Sequence, residues 1–73
     1  MIEMNIIFTG HAKYRIEKRK LSEEEVSNAI LRPDITSKKY DKYYYQKRLQ
    51  NGVIEVVCEK TEKGLNVITV YWV

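Results

Sequence analysis

The sequence predicts an α+β domain in which two N-terminal helices pack on one face of a three- to four-stranded antiparallel sheet. Apolar residues recur at helical spacing up to Pro33, whereas from Asp34 onward they alternate with polar residues. The pair Asn51-Gly52 between two alternating runs is the strongest short-range signal for a two-residue hairpin turn. A chain of 73 residues supports one core, so we expect a single domain over residues 1–73.

A first helix is predicted from His11 to Arg19 or Lys20, and either Thr9 or Gly10 can cap it. Its narrow apolar stripe consists of Ala12 and Ile16, with Tyr14 as a further candidate.

A second helix is predicted from its start signal. Ser22 is the N-cap and Glu25 follows three residues later, which is a capping box. The three glutamates of residues 23–25 suit the positive end of the helix dipole, so we interpret the acidic run as a helix start and not as a metal site. Pro33 ends the helix because the residue before a proline avoids the α region. The buried face consists of Val26, Ala29 and Ile30.

The hairpin around Asn51-Gly52 sets the faces of its two strands. With a type I′ turn there, Leu49 lies opposite Ile54, and Arg48 lies opposite Glu55. Tyr44 then falls with Arg48 on a polar face. The other face packs on the helices and makes Cys58 an inert core thiol; it holds Tyr43, Tyr45, Lys47, Leu49, Ile54, Val56 and Cys58.

Three further segments have strand character. Residues 5–8 are long enough only for an edge strand, and Asp34 to Tyr40 can supply another strand. Leu65 to Val73 forms the last strand, and the sequence leaves its inward face open. The two alternatives are Val67, Thr69 and Tyr71, or Ile68, Val70 and Trp72.

The basic residues are concentrated in two blocks that each carry a net charge of +4. Residues 11–20 hold five cations against Glu17, and residues 35–48 hold five cations against Asp41. Such clustering favours an anionic partner such as nucleic acid. The alternative is that these are ordinary surface residues of a small basic protein.

The composition, 44% hydrophobic and 32% charged, excludes a disordered chain. A single cysteine, Cys58, excludes an internal disulfide and a multi-cysteine zinc site. The sequence contains neither a signal peptide nor an apolar run with a length of about 18 residues, and we therefore expect a cytoplasmic protein without membrane association. A core this small has modest stability, which a homodimer would increase.

Three motifs together resemble a known family. They are F-T-x-H-A-x-x-R-I-x-x-R from Phe8 to Arg19, L-S-x-x-E-V-x-x-A-I-L-x-P from Leu21 to Pro33, and V-I-T-V-Y-W from Val67 to Trp72. The family comprises small bacterial and archaeal proteins with an uncharacterised domain, placed near the BrnT and RelE/ParE toxins. The resemblance covers nearly the whole chain and implies a RelE/BrnT-like fold.

The resemblance also implies an activity. Toxins of this group are commonly metal-independent endoribonucleases that an antitoxin, encoded beside them, neutralises. His11, Arg15 and Arg19 fall on the H-A-x-x-R-x-x-x-R frame of the family. Lys47 and Arg48 lie roughly where the relatives place basic residues, although no sharp motif identifies them.

The residue types fit that chemistry. RNA cleavage without a metal needs a base for the 2′-OH, cations for the phosphoryl oxygens and an acid for the 5′-leaving oxygen. Histidine is the side chain whose ordinary pKa suits both the acid and the base near neutrality. His11, Arg15 and Arg19 are each four residues apart and share a helix stripe, and arginine can hold a phosphate by two hydrogen bonds.

We therefore predict two sets of site residues. The alternatives are that His11 is a cap or packing residue, that Arg19 pairs with Glu23 or Glu24, and that Lys47 snorkels to the sheet edge instead of lining a cleft. The predicted catalytic residues are His11, Arg15, Arg19, Lys47 and Arg48. The predicted nucleic-acid-binding residues are Lys18, Lys20, Lys38, Lys39, Lys42 and Tyr44.

These observations predict a metal-independent endoribonuclease toxin of a type II toxin-antitoxin pair, which cleaves RNA through attack of the 2′-OH. The expected partners are RNA, an antitoxin protein and a second copy of the chain, and no cofactor or metal is expected. The alternative is a non-catalytic module that binds nucleic acid or another protein.

Overall fold

The chain forms two helices and one five-stranded mixed sheet in the computed structural model, which describes residues 5–73. The elements are β1 (Ile6–Phe8), α1 (Gly10–Lys18), α2 (Glu23–Leu31), β2 (Ile35–Lys39), β3 (Lys42–Leu49), β4 (Gly52–Thr61) and β5 (Gly64–Trp72). The strand order is β1-β5-β4-β3-β2; β1 pairs in parallel with β5, and every other pair is antiparallel. The α+β class and an antiparallel run of four strands are confirmed, but the sheet has one strand more than expected and is mixed, because β1 joins it in parallel.

The two edges of the sheet come from the two weakest strand signals. The short strand β1 was expected as an edge strand and is one, but it pairs in parallel because α1 carries the chain away before the sheet resumes. The segment from Asp34 to Tyr40 supplies β2 as predicted, and β2 forms the opposite edge with all five residues exposed.

Thr9 begins α1 and fixes its first turn on the sheet. Its Oγ1 accepts a hydrogen bond from the Ala12 amide at 3.1 Å and donates one to the Val67 carbonyl of β5 at 2.9 Å. Ala12 and Ile16 are buried as predicted. Tyr14 is 56% exposed, so its inclusion in the apolar stripe was wrong. Tyr14 is the second residue after Ala12, which places it about 200° around the helix from Ala12, on the side away from the core.

The capping box of α2 is confirmed. The Ser22 hydroxyl accepts from the Glu25 amide at 3.0 Å, and the Glu25 carboxylate accepts from the Ser22 amide at 2.9 Å. The helix ends at Leu31, before Pro33. Its buried residues are Val26, Ala29 and Ile30, as the spacing predicted.

The β3–β4 hairpin has the predicted faces and a different register. Leu49 lies opposite Gly52, so the two-residue turn is Gln50-Asn51, and Arg48 lies opposite Val53 instead of Glu55. Every partner is shifted by two residues, which leaves each side chain on its predicted face because the strand period is two. Gly52 belongs to β4, where its φ is +144° and the Trp72 ring lies so close that a Cβ would be 3.3 Å from Cε3.

A bulge in β5 resolves its inward face. Val57 pairs with Thr69 and Cys58 pairs with Val67, so Ile68 is an extra residue on β5. Val67 therefore faces inward from one of the two predicted sets and Val70 from the other, and both are fully buried. Neither alternative holds alone because the bulge changes the alternation midway.

The hydrophobic core lies between the two helices and one face of the sheet. Cys58 is fully buried there, as predicted. Tyr45 is buried and Tyr43 packs against the core, which also agrees with the predicted face. Neither described helix is long and apolar enough to cross a membrane. The core consists of Ala12, Ile16, Val26, Ala29, Ile30, Tyr45, Ile54, Val56, Cys58, Leu65, Val67 and Val70.

Candidate nucleic-acid site

Helix α1 is anchored to β5 at both ends. At its start, Thr9 holds the Val67 carbonyl as described above. At its end, the Trp72 indole N–H donates to the Arg19 carbonyl at 3.3 Å. Since the buried residues of α1 face β5, the remaining sides of the helix are presented to solvent in a fixed orientation.

His11 and Arg15 form a contact on the exposed side of α1. The Arg15 Nε–H donates to His11 Nε2 at 3.4 Å, a long hydrogen bond between residues one turn apart. A guanidinium only donates hydrogen bonds, so His11 Nε2 is the acceptor in this contact. The predicted helix stripe of His11 and Arg15 is therefore seen in the structure, and the contact between them places an imidazole acceptor beside a cation.

Tyr14 and Lys18 extend this contact along the helix. The Lys18 ammonium donates to the Tyr14 hydroxyl at 3.4 Å. The guanidinium carbon of Arg15 lies 5.9 Å from the centroid of the Tyr14 ring. We call His11, Tyr14, Arg15 and Lys18 the α1 cluster; Arg15 is half-buried and the other three are exposed.

No carboxylate neutralises the α1 cluster within the part of the chain that the structure describes. Both ion pairs found among residues 5–73 are elsewhere, at Lys42 with Glu59 and at Lys47 with Asp34. The cations of α1 therefore keep their capacity to hold an anion.

The sequence reasoning missed Tyr14 as a member of this site. Its spacing of four residues from Lys18 was a usable signal, because side chains at i and i+4 meet on a helix. The placement of Tyr14 in the apolar stripe hid that signal.

Arg19 and Lys20 lie where α1 ends. Arg19 is the C-cap, with φ −91° and ψ 8°, so its backbone has left the helical stripe of His11 and Arg15. Among the described residues, neither Glu23 nor Glu24 comes within 4 Å of the Arg19 guanidinium. Lys20 is exposed and has a positive φ of 58°.

The second basic block is largely engaged with neighbours. The Lys42 ammonium pairs with the Glu59 carboxylate at 2.6 Å, and that hydrogen bond raises the pKa of Lys42. The Lys38 ammonium lies 5.5 Å from the centroid of the Tyr43 ring. Lys39 is exposed at the end of β2.

Lys47 and Arg48 lie on opposite faces of β3. The Lys47 ammonium is on the helix-covered face and reaches the Asp34 carboxylate at 3.8 Å. The other oxygen of Asp34 accepts from the Arg48 amide at 2.7 Å, and the exposed Arg48 side chain projects from the helix-free face. The sheet therefore separates Arg48 from the α1 cluster.

Tyr44 also lies on the helix-free face, opposite Val57. On the same face, Glu55 lies between Gln46 of β3 and Tyr71 of β5, and its carboxylate accepts hydrogen bonds from the Gln46 amide and the Tyr71 hydroxyl. Burial and the bond to Glu55 raise the pKa of Tyr71 to about 12. This face is an internally satisfied polar surface, and it does not bring Tyr44 to the side of the sheet that carries α1.

Two other features were considered as sites. Burial raises the pKa of the Cys58 thiol to about 12, so this group stays protonated and is not a nucleophile. A shallow depression of about 360 Å³ near the β2–β3 turn is lined by two lysines, two carboxylates and a tyrosine, and its charges balance. Across residues 5–73, no three His, Cys, Asp or Glu side chains are grouped as metal ligands.

The fold and the site together define a small α+β domain with an exposed histidine–arginine pair on a basic helix. The chain belongs to the family described as "Domain of unknown function (DUF4258)", whose model matches residues 8–72. Neither the curated proteins nor the solved structures contain a match to the chain. The predicted membership of an uncharacterised family is thereby confirmed.

Proposed function

We propose that the protein is a metal-independent endoribonuclease that acts as the toxin of a type II toxin-antitoxin pair, with the α1 cluster as its active site. The observation that carries this proposal is the contact between Arg15 Nε and His11 Nε2 at 3.4 Å. It places a potential base beside a cation that no described carboxylate neutralises. The H-A-x-x-R-x-x-x-R frame is that of the uncharacterised family, and the resemblance that places this family near the BrnT and RelE/ParE toxins supports the same activity.

The reaction begins with binding of a phosphodiester by Arg15. The anion attracts the guanidinium and accepts two of its N–H bonds, which releases His11 Nε2 from its long hydrogen bond. The freed lone pair takes the proton of the ribose 2′-OH. The 2′ oxygen then attacks phosphorus.

The second proton transfer completes the cleavage. As the P–O5′ bond breaks, the Lys18 ammonium gives a proton to the leaving O5′. The His11 imidazolium then releases the proton it took from the 2′-OH to solvent, and Lys18 takes one from solvent, which restores the starting state of both groups. Lys18 is the ammonium group of the α1 cluster, and it donates a hydrogen bond to the Tyr14 hydroxyl at 3.4 Å. The products are a 2′,3′-cyclic phosphate and a 5′-hydroxyl end, and the Arg15 cation stabilises the charge that develops on the phosphoryl oxygens.

A second candidate is binding of nucleic acid without cleavage. The observation that favours it is the exposure of His11, Tyr14 and Lys18 on a single helix. Their side-chain hydrogen bonds in the described structure are to other residues of α1, and not to a second element that would enclose a bound phosphate. Preorganised catalysis is strongest in a site that excludes water. This candidate predicts RNA affinity with no new products.

The test is cleavage of a single-stranded RNA by the purified protein in excess EDTA, with the ends identified by mass spectrometry. We expect cyclic phosphate ends from the wild type. His11→Ala and Arg15→Ala should each lose about 100-fold or more in rate, as removal of one preorganised donor does elsewhere. Lys13→Ala is the matched control, because Lys13 is an exposed cation of the same helix outside the α1 cluster.

Two results would contradict the assignment. One is undiminished cleavage by both variants with unchanged circular dichroism. The other is RNA binding by the wild type without any product, which would establish the second candidate. The toxin role has its own test: expression should arrest growth, and co-expression of a DNA-binding protein encoded beside the gene should relieve the arrest.

A further inference from the structure

Tyr14 is an aromatic side chain that the fold leaves free. The residue is 56% exposed although it lies in the middle of α1, and the helix buries Ala12 and Ile16 instead. By contrast, Tyr43 and Tyr45 stack on each other with centroids 6.3 Å apart and pack in or against the core. Tyr14 can therefore contact a ligand without loss of core packing.

The two cations beside Tyr14 leave room on its ring. The Lys18 ammonium is 3.4 Å from the hydroxyl but 5.6 Å from the ring centroid, so it lies at the hydroxyl end and not above the ring centre. The second cation is Arg15, whose guanidinium carbon lies 5.9 Å from the centroid of the Tyr14 ring. The ring thus has a positive group near its edge and an accessible face, the combination with which single-strand binding surfaces hold a base and its phosphate.

We propose that Tyr14 is a stacking platform for the nucleobase adjacent to the phosphate held by Arg15, and that the substrate is consequently single-stranded RNA. The base and the phosphate of one nucleotide lie close together because a ribose joins them. The Tyr14 ring and the Arg15 guanidinium also lie close together, with 5.9 Å between the ring centroid and the guanidinium carbon. In an A-form duplex the bases are stacked inside and cannot reach an exposed ring. The inference rests on the proposed function for the identity of the polymer as RNA.

The sequence had suggested Tyr44 for this role. Tyr44 lies on the helix-free face beside Val57, remote from His11 and Arg15. Tyr14 occupies the helix that carries both residues, so the stacking function is reassigned to it.

The test measures fluorescence anisotropy with labelled 2′-O-methyl RNA, which binds but offers no 2′-OH for cleavage. Three probes of one sequence are used: a single strand, the same strand with one abasic nucleotide, and a duplex. We expect Tyr14→Ala to weaken single-strand binding by roughly 5- to 150-fold, the range for loss of one stacked base. Tyr14→Phe keeps the ring and should retain wild-type affinity.

The abasic probe identifies the contact. Its loss of affinity relative to the intact strand should be seen with the wild type and should disappear with Tyr14→Ala, since the two changes remove the same interaction. The matched control is Tyr40→Ala, because Tyr40 is 86% exposed and is flanked by lysines on the β2–β3 turn. This control should bind like the wild type.

The outcomes separate this inference from the proposed function. A wild type that never cleaves RNA but shows the Tyr14 and abasic effects keeps the stacking site and overturns the enzyme. A wild type that cleaves, while Tyr14→Ala binds the intact single strand as tightly as the wild type does, overturns the stacking site. Equal weakening of single-strand and duplex binding by Tyr14→Ala also overturns it, because the contribution of Tyr14 would then not depend on an unstacked base.

Discussion

The two basic blocks of the chain carry the same net charge and are put to different uses by the fold. In residues 35–48, Lys42 pairs with Glu59 and Lys47 with Asp34, which leaves three of the five cations without a carboxylate within 4 Å in the described structure. In residues 11–20, no cation has a carboxylate within 4 Å in the described structure. Equal charge in the sequence therefore corresponds to unequal capacity for an anionic ligand.

The difference comes from the secondary structure that carries each block. A strand places its side chains directly opposite those of its neighbours, so Lys42 lies opposite Glu59 through the register of β3 and β4. An amphipathic helix at the surface turns its polar side to solvent, and α1 carries only Glu17 as an acid. Net charge identifies a candidate block, and the pairing of its side chains decides whether it is a site.

The largest expected effect separates two arginines. Arg15→Ala should lower RNA cleavage by about 100-fold or more, because Arg15 contacts the proposed base. Arg48→Ala should leave the rate almost unchanged, because that side chain projects from the helix-free face. Initial rates of both variants in EDTA decide this, and equal losses would show that the two blocks act together.

The salt dependence of RNA binding gives a second, smaller contrast. For single strands, each cation that contacts a phosphate contributes about 0.7 to the slope of log affinity against log salt. Lys18→Gln should therefore reduce the slope by about 0.7, whereas Lys42→Gln should leave it unchanged because Glu59 already neutralises Lys42. Binding titrations with 2′-O-methyl RNA between about 50 and 200 mM salt measure both slopes. A reduction by Lys42→Gln alone would reverse the comparison.

The attachment of α1 to the sheet predicts a stability effect. Thr9→Val removes the cap of the Ala12 amide and the hydrogen bond to Val67. We expect the free energy of unfolding to fall by about 1–2 kcal/mol, as for loss of a helix cap. Urea denaturation followed by circular dichroism gives the value, and Thr9→Ser serves as the control that retains both bonds. An unchanged midpoint for Thr9→Val would show that the cap does not hold α1.

The smallest effect is a gain in stability at Lys20. The end of α1 is a Schellman motif, with Leu21 N donating to the Ile16 carbonyl at 2.9 Å and Lys20 N to the Glu17 carbonyl at 3.0 Å. Lys20 occupies the left-handed position at φ 58°, where glycine is favoured. Lys20→Gly should raise the unfolding free energy by about 0.5–1 kcal/mol, because the cost of about 1–2 kcal/mol for a left-handed non-glycine residue exceeds the extra entropy that glycine loses on folding. Tyr40→Gly, at φ 59° on the β2–β3 turn, should do the same in the other block, and destabilisation by either variant would contradict the backbone assignment.

Local signals predicted the parts of the fold that depend on nearest neighbours. The capping box of Ser22 and Glu25 and the stop at Pro33 defined α2 because each acts within one helical turn. The faces of β3 and β4 were also predictable, since alternation does not depend on the turn. The register was not, because Gly52 is needed against the Trp72 ring, a contact between residues 20 positions apart in the sequence.

The candidate site was predictable to the same extent. The contact of His11 with Arg15 follows from helical spacing alone. The placement of Lys47 and Arg48 on opposite faces follows from strand alternation. That Arg48 is thereby separated from the α1 cluster could be seen only once the structure placed both helices on the other face of the sheet. The neutralisation of Lys42 could not be predicted because the assumed register paired different residues.

The most direct test of the account is an NMR titration of the ¹⁵N-labelled protein with a single-stranded 2′-O-methyl RNA. We predict that the largest amide shift changes fall within α1, at and around His11, Tyr14, Arg15 and Lys18, and that β2 and β3 change little. Changes concentrated on β2 and β3, or an absence of changes at low salt, would contradict the assignment of α1 as the nucleic-acid site.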